Sequence, residues 1–228
     1  MTNPILVAID TTEMERAKAL AAAVAPHVGG IKLGLEFFTA HGAEGIRRVA
    51  GDIPVFLDLK FHDIPNTVAG AVAATHGINC FMLTIHASGG EAMMRAAKEA
   101  AMKLPNQPKL VGVTVLTSMD AADLQAVGVG NSLEKQVVSL ADLTKTSGLD
   151  GVVCSPQEIS VLRARLGSDF TLVTPGIRPA GSEKGDQKRI MTPKDALAEG
   201  SSYLVIGRPI TQSANPAQAA AEIFASLA

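Results

Sequence analysis

The sequence is poor in the features that mark several protein classes. It has two cysteines in 228 residues, Cys80 and Cys154. Both sit in apolar runs (INCFMLTI and GVVCS) without CxxC spacing, so they read as buried free thiols of a reducing compartment. His and Cys are not clustered at ligand spacing, and no metal is expected. No basic tract or basic-aromatic alternation occurs, and 20 Lys+Arg against 22 Asp+Glu give a formal charge of -2, so no nucleic-acid partner is expected. No apolar run approaches the roughly 18 residues of a membrane span. The start, MTNPILVAID, lacks the basic and long apolar regions of a secretory leader. A soluble, cytoplasmic protein is the expectation. No GxGxxG follows the first apolar run, which argues against a dinucleotide fold.

What is present is a rhythm. Hydrophobic residues make up 47% and charged residues 18%, enough for a large core and against disorder. Short β-branched apolar runs predict strands at Ile5–Ile9, Gly30–Leu33, Val55–Leu59, Cys80–Ile85, Leu110–Val115, Gly151–Cys154, Thr171–Thr174 and Tyr203–Ile206. Ala-rich stretches of helical spacing lie between them, such as ERAKALAAAVAPHV and GGEAMMRAAKEAAMKL. A closing helix is expected with Asn215 as N-cap and Pro216 at its first position. Strand–helix alternation along the whole chain implies a parallel sheet. Eight units in this length point to one (β/α)₈ TIM barrel domain over residues 1–228. The longest irregular stretch, PGIRPAGSEKGDQKRIMT (175–192), reads as a functional loop.

In such a barrel the chemistry gathers where strands end. The expected strands lead to Asp10, Lys32, Asp58 with Lys60, His86, Thr117-Ser118, Ser155-Pro156, Pro175-Gly176 with Arg178, and Gly207-Arg208. Each has a plainer role open to it. Asp10 and Asp63 also fit helix caps, Lys32 a structural ion pair, His86 a hydrogen-bonded rim residue, and Thr117-Ser118 a turn. The orientation of His62 cannot be read. Asp58 and Lys60 stand apart, because residues two apart in a strand share a face. Both side chains then point into the barrel mouth, where Asp58 favours the charged form of Lys60. Lys32 could join them from the next strand. A Schiff-base lysine needs the opposite tuning, and no Ser-His-Asp or Cys-His pairing competes. In IGRPIT (206–211), Gly207 and Arg208 stand where a strand turns into a short helix, at the usual phosphate site of this fold. Arg178 and Gln187 could close over it. The residues thus read as a barrel enzyme for a phosphorylated small molecule, with a lysine acid flanked by carboxylates.

The motifs FLDLKFHDIPNT, VAIDT, KLGLEFF, TIHASGG, VTVLTSM, TPGIRPAG with DQKR, and VIGRPIT occur in order from Val7 to about Ser213. Together they resemble the orotidine 5'-monophosphate decarboxylase family. The resemblance implies a (β/α)₈ barrel that converts orotidine 5'-monophosphate to UMP in the last step of de novo pyrimidine synthesis, with no cofactor and no metal. It also implies a homodimer with shared active sites. By position, Lys60 looks like the proton donor to C6 and Asp58 like the carboxylate facing the leaving group. Lys32 and Asp63 look like the rest of a Lys-Asp-Lys-Asp array, with Asp63, Ile64 and Thr67 reaching into the partner's site. Asp10 and Lys32 look like ribose contacts, Thr117 or Ser118 like the reader of the base. Pro175, Arg178, Gln187, Gly207 and Arg208 look like the phosphate side. Two other readings stay open. One is a Mg-dependent sugar-phosphate decarboxylase of the 3-keto-gulonate 6-phosphate type, which shares an Asp-x-Lys-x-x-Asp pattern. The other is a non-catalytic phosphate-ligand-binding barrel. HDIPNT and the long TPGIRP…DQ loop favour the nucleotide enzyme.

Overall fold

The computed structural model describes residues 3–179 and 190–227. Eight parallel strands follow one another around a closed barrel: β1 (Ile5–Ala8), β2 (Gly30–Gly34), β3 (Val55–Phe61), β4 (Cys80–His86), β5 (Lys109–Val113), β6 (Gly151–Val153), β7 (Thr171–Thr174) and β8 (Tyr203–Ile206). β8 returns to β1 with Leu6 beside Val205, so the sheet has no edge. All eight expected strands are present, with ends shifted by a residue or two. The helices are α1 (Met14–Val24), α2 (Leu35–Ala50), α3 (Pro65–Ala73), α4 (Gly90–Met102), α5 (Ala121–Ala126), α6 (Leu133–Thr146), α7 (Ile159–Leu166), α8 (Pro193–Ala198), α9 (Arg208–Thr211) and α10 (Pro216–Ala225). No helix among the described residues is long and apolar enough to cross a membrane.

Local chemistry starts several of these helices. Asp120 and Asp123 form a reciprocal capping box on α5, and the Ser132 hydroxyl accepts from the Lys135 N–H of α6. Asn215 caps α10 and Pro216 opens it, as expected. Two expected alternatives fail. α1 is capped by Glu13 without a side-chain bond, so Asp10 caps nothing there. The N-cap of α3 is Ile64, and Asp63 lies one residue outside it, accepting from the Ile64 N–H at 2.6 Å.

Side-chain alternation along the strands makes two separate cores. Ile5, Val7, Ile31, Leu33, Val55, Leu57, Leu83, Ile85, Leu204 and Ile206 point outward and pack under the helices. Leu6, Ala8, Phe56, Met82, Val111, Val173 and Val205 point inward and fill the barrel. Extending the same parity toward the strand ends turns Asp10, Lys32, Asp58 and Thr84 to the inside, on top of that plug. The fold thus converts a period of two in the sequence into a ring of polar groups above an apolar floor.

Glycine is required at tight points in the wall. Gly151 opens β6 beside Thr171, and a Cβ on it would lie 2.2 Å from the Thr171 carbonyl oxygen, a backbone atom that cannot step aside. Gly130 has open space around it. Gly151→Ala is expected to lower Tm by roughly 5–10 °C, as an overpacked core does in a chain of this size, while Gly130→Ala shifts it by about 2 °C or less. Thermal melts followed by circular dichroism check this, and equal shifts for the two variants would contradict it.

Candidate active site

A cavity of about 420 Å³ opens above the apolar plug, at the C-terminal ends of the strands. That is a size suited to a small-molecule ligand. Ala8, Phe56, Val153 and Val205 contribute apolar surface to its lining. Other parts of its lining come from distant parts of the chain: Asp10, Lys32, Asp58, Lys60, Thr117, Pro175, Arg178, Gly207 and Arg208, all singled out in the sequence.

The charges at the β1–β3 side form one chain of ion pairs. Asp10 Oδ1 lies 3.1 Å from Lys32 Nζ, Lys32 Nζ lies 3.6 Å from Asp58 Oδ2, and that same oxygen lies 2.8 Å from Lys60 Nζ. The other oxygen, Asp58 Oδ1, accepts from the Thr84 hydroxyl at 3.0 Å. The side chains of Lys32 and Asp58 are only 11% and 12% exposed, against 28% for Lys60 and 59% for Asp10. Exposure therefore leaves Lys60 as the ammonium most open to a ligand. Burial, the largest single effect on Lys32, favours its neutral amine. The Asp58 and Asp10 carboxylates together outweigh it, and the ammonium is held above the ordinary lysine range. Burial likewise works against the Asp58 carboxylate, but Lys32, Lys60 and the Thr84 hydroxyl bring it below the ordinary carboxylate range. Both groups thus stay charged because each is the other's counterion.

Lys60 reaches this place by a route that strand alternation alone does not describe. Its φ is 50°, one of two non-glycine residues at positive φ among the described residues. The β3–β4 register also breaks here: Leu57 pairs with Leu83, then Phe61 with Ile85, so three residues of β3 face one of β4. Asp58 and Lys60 do converge as expected, but a bulge brings them together where a regular strand was assumed. The Lys60 N–H donates to the Thr84 hydroxyl at 2.8 Å. Thr84 was missed in the sequence, although a hydroxyl inside the apolar run CFMLTI was a signal. It is fully buried.

Across the cavity lie the groups expected to face a phosphate. Arg178 is only 7% exposed, its N–H donates to the Met191 carbonyl at 3.0 Å, and its guanidinium donates to Ile177 O at 2.9 Å. Gly207 follows β8 as the N-cap of α9, and Arg208 begins that helix. Gly176, expected at the end of the seventh strand, also lines this side, as does Gln212, which was not anticipated. Gln212 stands four residues after Arg208, a spacing that could have suggested it. Of the paired candidates for the base, Thr117 lines the cavity, whereas Ser118 is exposed and outside the lining. Asp63, Ile64 and Thr67 are exposed and outside the lining of their own chain's cavity, with Ile64 67% exposed. Gln187 and positions 180–189 of the expected functional loop lie outside the described residues.

Two histidines border the lysine. The His62 and His86 rings lie 5.3 Å apart, centre to centre. Burial, followed by repulsion from His62 and Lys60, lowers the His86 pKa below the ordinary imidazole range, against a weaker pull from Asp58. No three His, Cys, Asp or Glu side chains among the described residues come together as a metal ion would need.

Known proteins share this arrangement of chain and fold. The family model described as Orotidine 5'-phosphate decarboxylase / HUMPS family matches residues 3–223. The orotidine 5'-phosphate decarboxylase of Rhodospirillum rubrum is 57% identical over 225 residues, covering 96% of this chain and 91% of that one. The enzyme of the same name from Vibrio cholerae is 51% identical over 230 residues, covering all of both. The crystal structure of orotidine 5'-phosphate decarboxylase from Lactobacillus acidophilus superposes with a TM-score of 0.89 at 38% identity, covering 99% of each chain. A match along almost the entire barrel, at this level of identity, places the chain in the orotidine 5'-phosphate decarboxylase / HUMPS family.

Proposed function

We propose that this protein, working as a single barrel domain in the cytoplasm, decarboxylates orotidine 5'-monophosphate to UMP, with Lys60 as the acid. The observation that carries this reading is a lysine ammonium paired to a buried carboxylate at one side of a cavity whose other side holds Arg178 and Arg208. A nucleotide bearing a carboxylate at one end and a phosphate at the other matches that polarity. A sugar phosphate would leave the apolar lining around Phe56 and Val153 with less to cover.

In the proposed reaction the bond between C6 and the carboxylate breaks, CO₂ leaves, and the electron pair stays on C6. That orbital lies in the ring plane, where the ring delocalises it poorly. Enzymes commonly lower barriers by about 8–23 kcal/mol, and this reaction calls for the upper part of that range. The Lys60 ammonium, already oriented by Asp58, stabilises the developing charge without reorganising. It then gives its proton to C6, yielding UMP, and its amine regains a proton from solvent. Asp58 beside the substrate carboxylate adds repulsion that vanishes as CO₂ departs. Two unit charges 4 Å apart interact by about 4 kcal/mol at an effective dielectric of 20. That is too small to carry the reaction, so stabilisation by Lys60 ranks first. Phosphate binding by Gly207, Arg208 and Arg178, with Gln187 and Pro175, supplies energy far from C6 that helps close the site. Asp10 and Lys32 serve the ribose, and Thr117 the base.

The exposed trio Asp63, Ile64 and Thr67 supports a homodimer in which each copy completes the other's site. The exposed Leu35 and Ile64 side chains, 54% and 67% accessible, suit a covered face better than a solvated one.

Purified protein is expected to bleach the absorbance of orotidine 5'-monophosphate and to keep doing so in EDTA. Absence of turnover over an hour would refute the reading, and loss of activity in EDTA would favour the Mg-dependent sugar-phosphate alternative. Lys60→Ala is expected to abolish turnover while UMP binding by calorimetry stays measurable. Mixing inactive Lys60→Ala with inactive Asp63→Ala should regain activity, because one site of the mixed dimer then holds both native residues. No regain after exchange of subunits would count against shared sites. Arg208→Ala is expected to cut kcat/KM by about 100-fold or more although it touches no reacting atom, and a change below about threefold would contradict the role given to phosphate binding.

A further inference from the structure

We infer that Thr84 is a positioning residue for this reaction: its buried hydroxyl holds both the backbone bend that presents Lys60 and the rotation of the Asp58 carboxylate. The inference rests on the decarboxylase reading for its link to turnover, and on geometry for the rest. Thr84 is fully buried and does not line the cavity, so it acts only through its neighbours.

The hydrogen bonds give the hydroxyl one possible polarity. The Lys60 N–H can only donate, and it reaches Thr84 Oγ1 at 2.8 Å. The ionised Asp58 carboxylate can only accept, and its Oδ1 lies 3.0 Å from the same hydroxyl. The single hydroxyl proton therefore goes to Asp58, and an oxygen lone pair takes the Lys60 amide. With Oδ1 held in this way, Oδ2 faces Lys60 and Lys32. One side chain on β4 thus sets both partners of the reactive ion pair.

The backbone needs such a tie. Lys60 has a φ of 50°, a conformation that a side chain with a Cβ adopts only when its surroundings impose it. The bond to Thr84 falls where the β3–β4 register breaks, between the Leu57–Leu83 and Phe61–Ile85 pairs. Without the hydroxyl, an N–H in this part-buried position loses its partner, and a rotation of the chain that wets it would swing the Lys60 side chain. A valine would fit the same wall and keep the β-branched shape, so packing alone does not demand threonine here.

The test compares Thr84→Val and Thr84→Ser with the native protein. Thr84→Val is expected to lower kcat by about 100-fold, the scale of a 1 Å misplacement, while KM and UMP affinity change by less than about threefold. Thr84→Ser keeps the hydroxyl and is expected to regain most of that loss. Amide hydrogen exchange at Lys60 should be slow in the native protein and in Thr84→Ser, and fast in Thr84→Val. If Thr84→Val does not fold, Thr84→Ala replaces it in each measurement. A kcat for the hydroxyl-free variant within about threefold of native, a Thr84→Ser as impaired as Thr84→Val, or an unchanged Lys60 amide would overturn the inference. Native turnover in the same assay tests the decarboxylase reading separately. If the native protein is inactive, that reading falls, and the Lys60 amide alone decides whether Thr84 holds the bend.

Discussion

The ion pair between Asp58 and its two lysines is the constraint around which this barrel mouth is organised. A carboxylate buried to this degree is costly unless it is paired and hydrogen-bonded. Here one oxygen meets two ammonium groups and the other a hydroxyl. Each partner comes from a different place: Lys32 from β2, Lys60 from a bulge in β3, and Thr84 from β4. Withdrawing either lysine leaves Asp58 with a single counterion, and withdrawing the Thr84 hydroxyl takes this partner from both Asp58 Oδ1 and the Lys60 N–H, so the cluster resists rearrangement. In the decarboxylase reading proposed above, that resistance keeps the Lys60 charge in place before the reaction begins.

The apolar plug beneath supports this arrangement. Leu6, Phe56, Met82, Val111 and Val173 fill the barrel interior. The charged layer therefore rests on side chains that offer no competing hydrogen bonds. Interactions among its members are correspondingly stronger than on an open surface. Two groups of charges stand apart above it. The lysine cluster sits on the β1–β4 side, and Arg178, Gly207 and Arg208 sit beyond β7 and β8. Closure of β8 onto β1 brings the two halves to one cavity although Lys60 and Arg178 lie about half a chain length apart in sequence.

Much of this was legible without coordinates, for local reasons. Strands such as Tyr203–Ile206 announce themselves because β-branched runs bounded by polar residues leave few other options. The cap at Asn215 and the proline after it act within a few bonds of one another. Candidate residues such as Lys32 and Arg208 were found because charge at the end of an apolar strand is chemically conspicuous. Thr84 was not, because threonine is ordinary in strands and its value lies in what it meets 24 and 26 positions earlier in the chain. Choosing Thr117 over Ser118 likewise needed the direction of the turn after β5.

The sequence by itself determined the alternation of strands and helices, the inward and outward faces, and the residue types available at the barrel mouth. Periodicity and charge placement are properties of neighbouring residues, and they survive reading in one dimension. Tertiary structure alone decided how Lys60 meets Asp58. Strand parity suggested a shared face, but the chain bulges at that point and takes a positive φ at Lys60. A bulge depends on the register of two strands, and register is set by packing between segments far apart in the chain. That is why the two key residues could be named from sequence, while the bend that joins them and the hydroxyl that holds it could not.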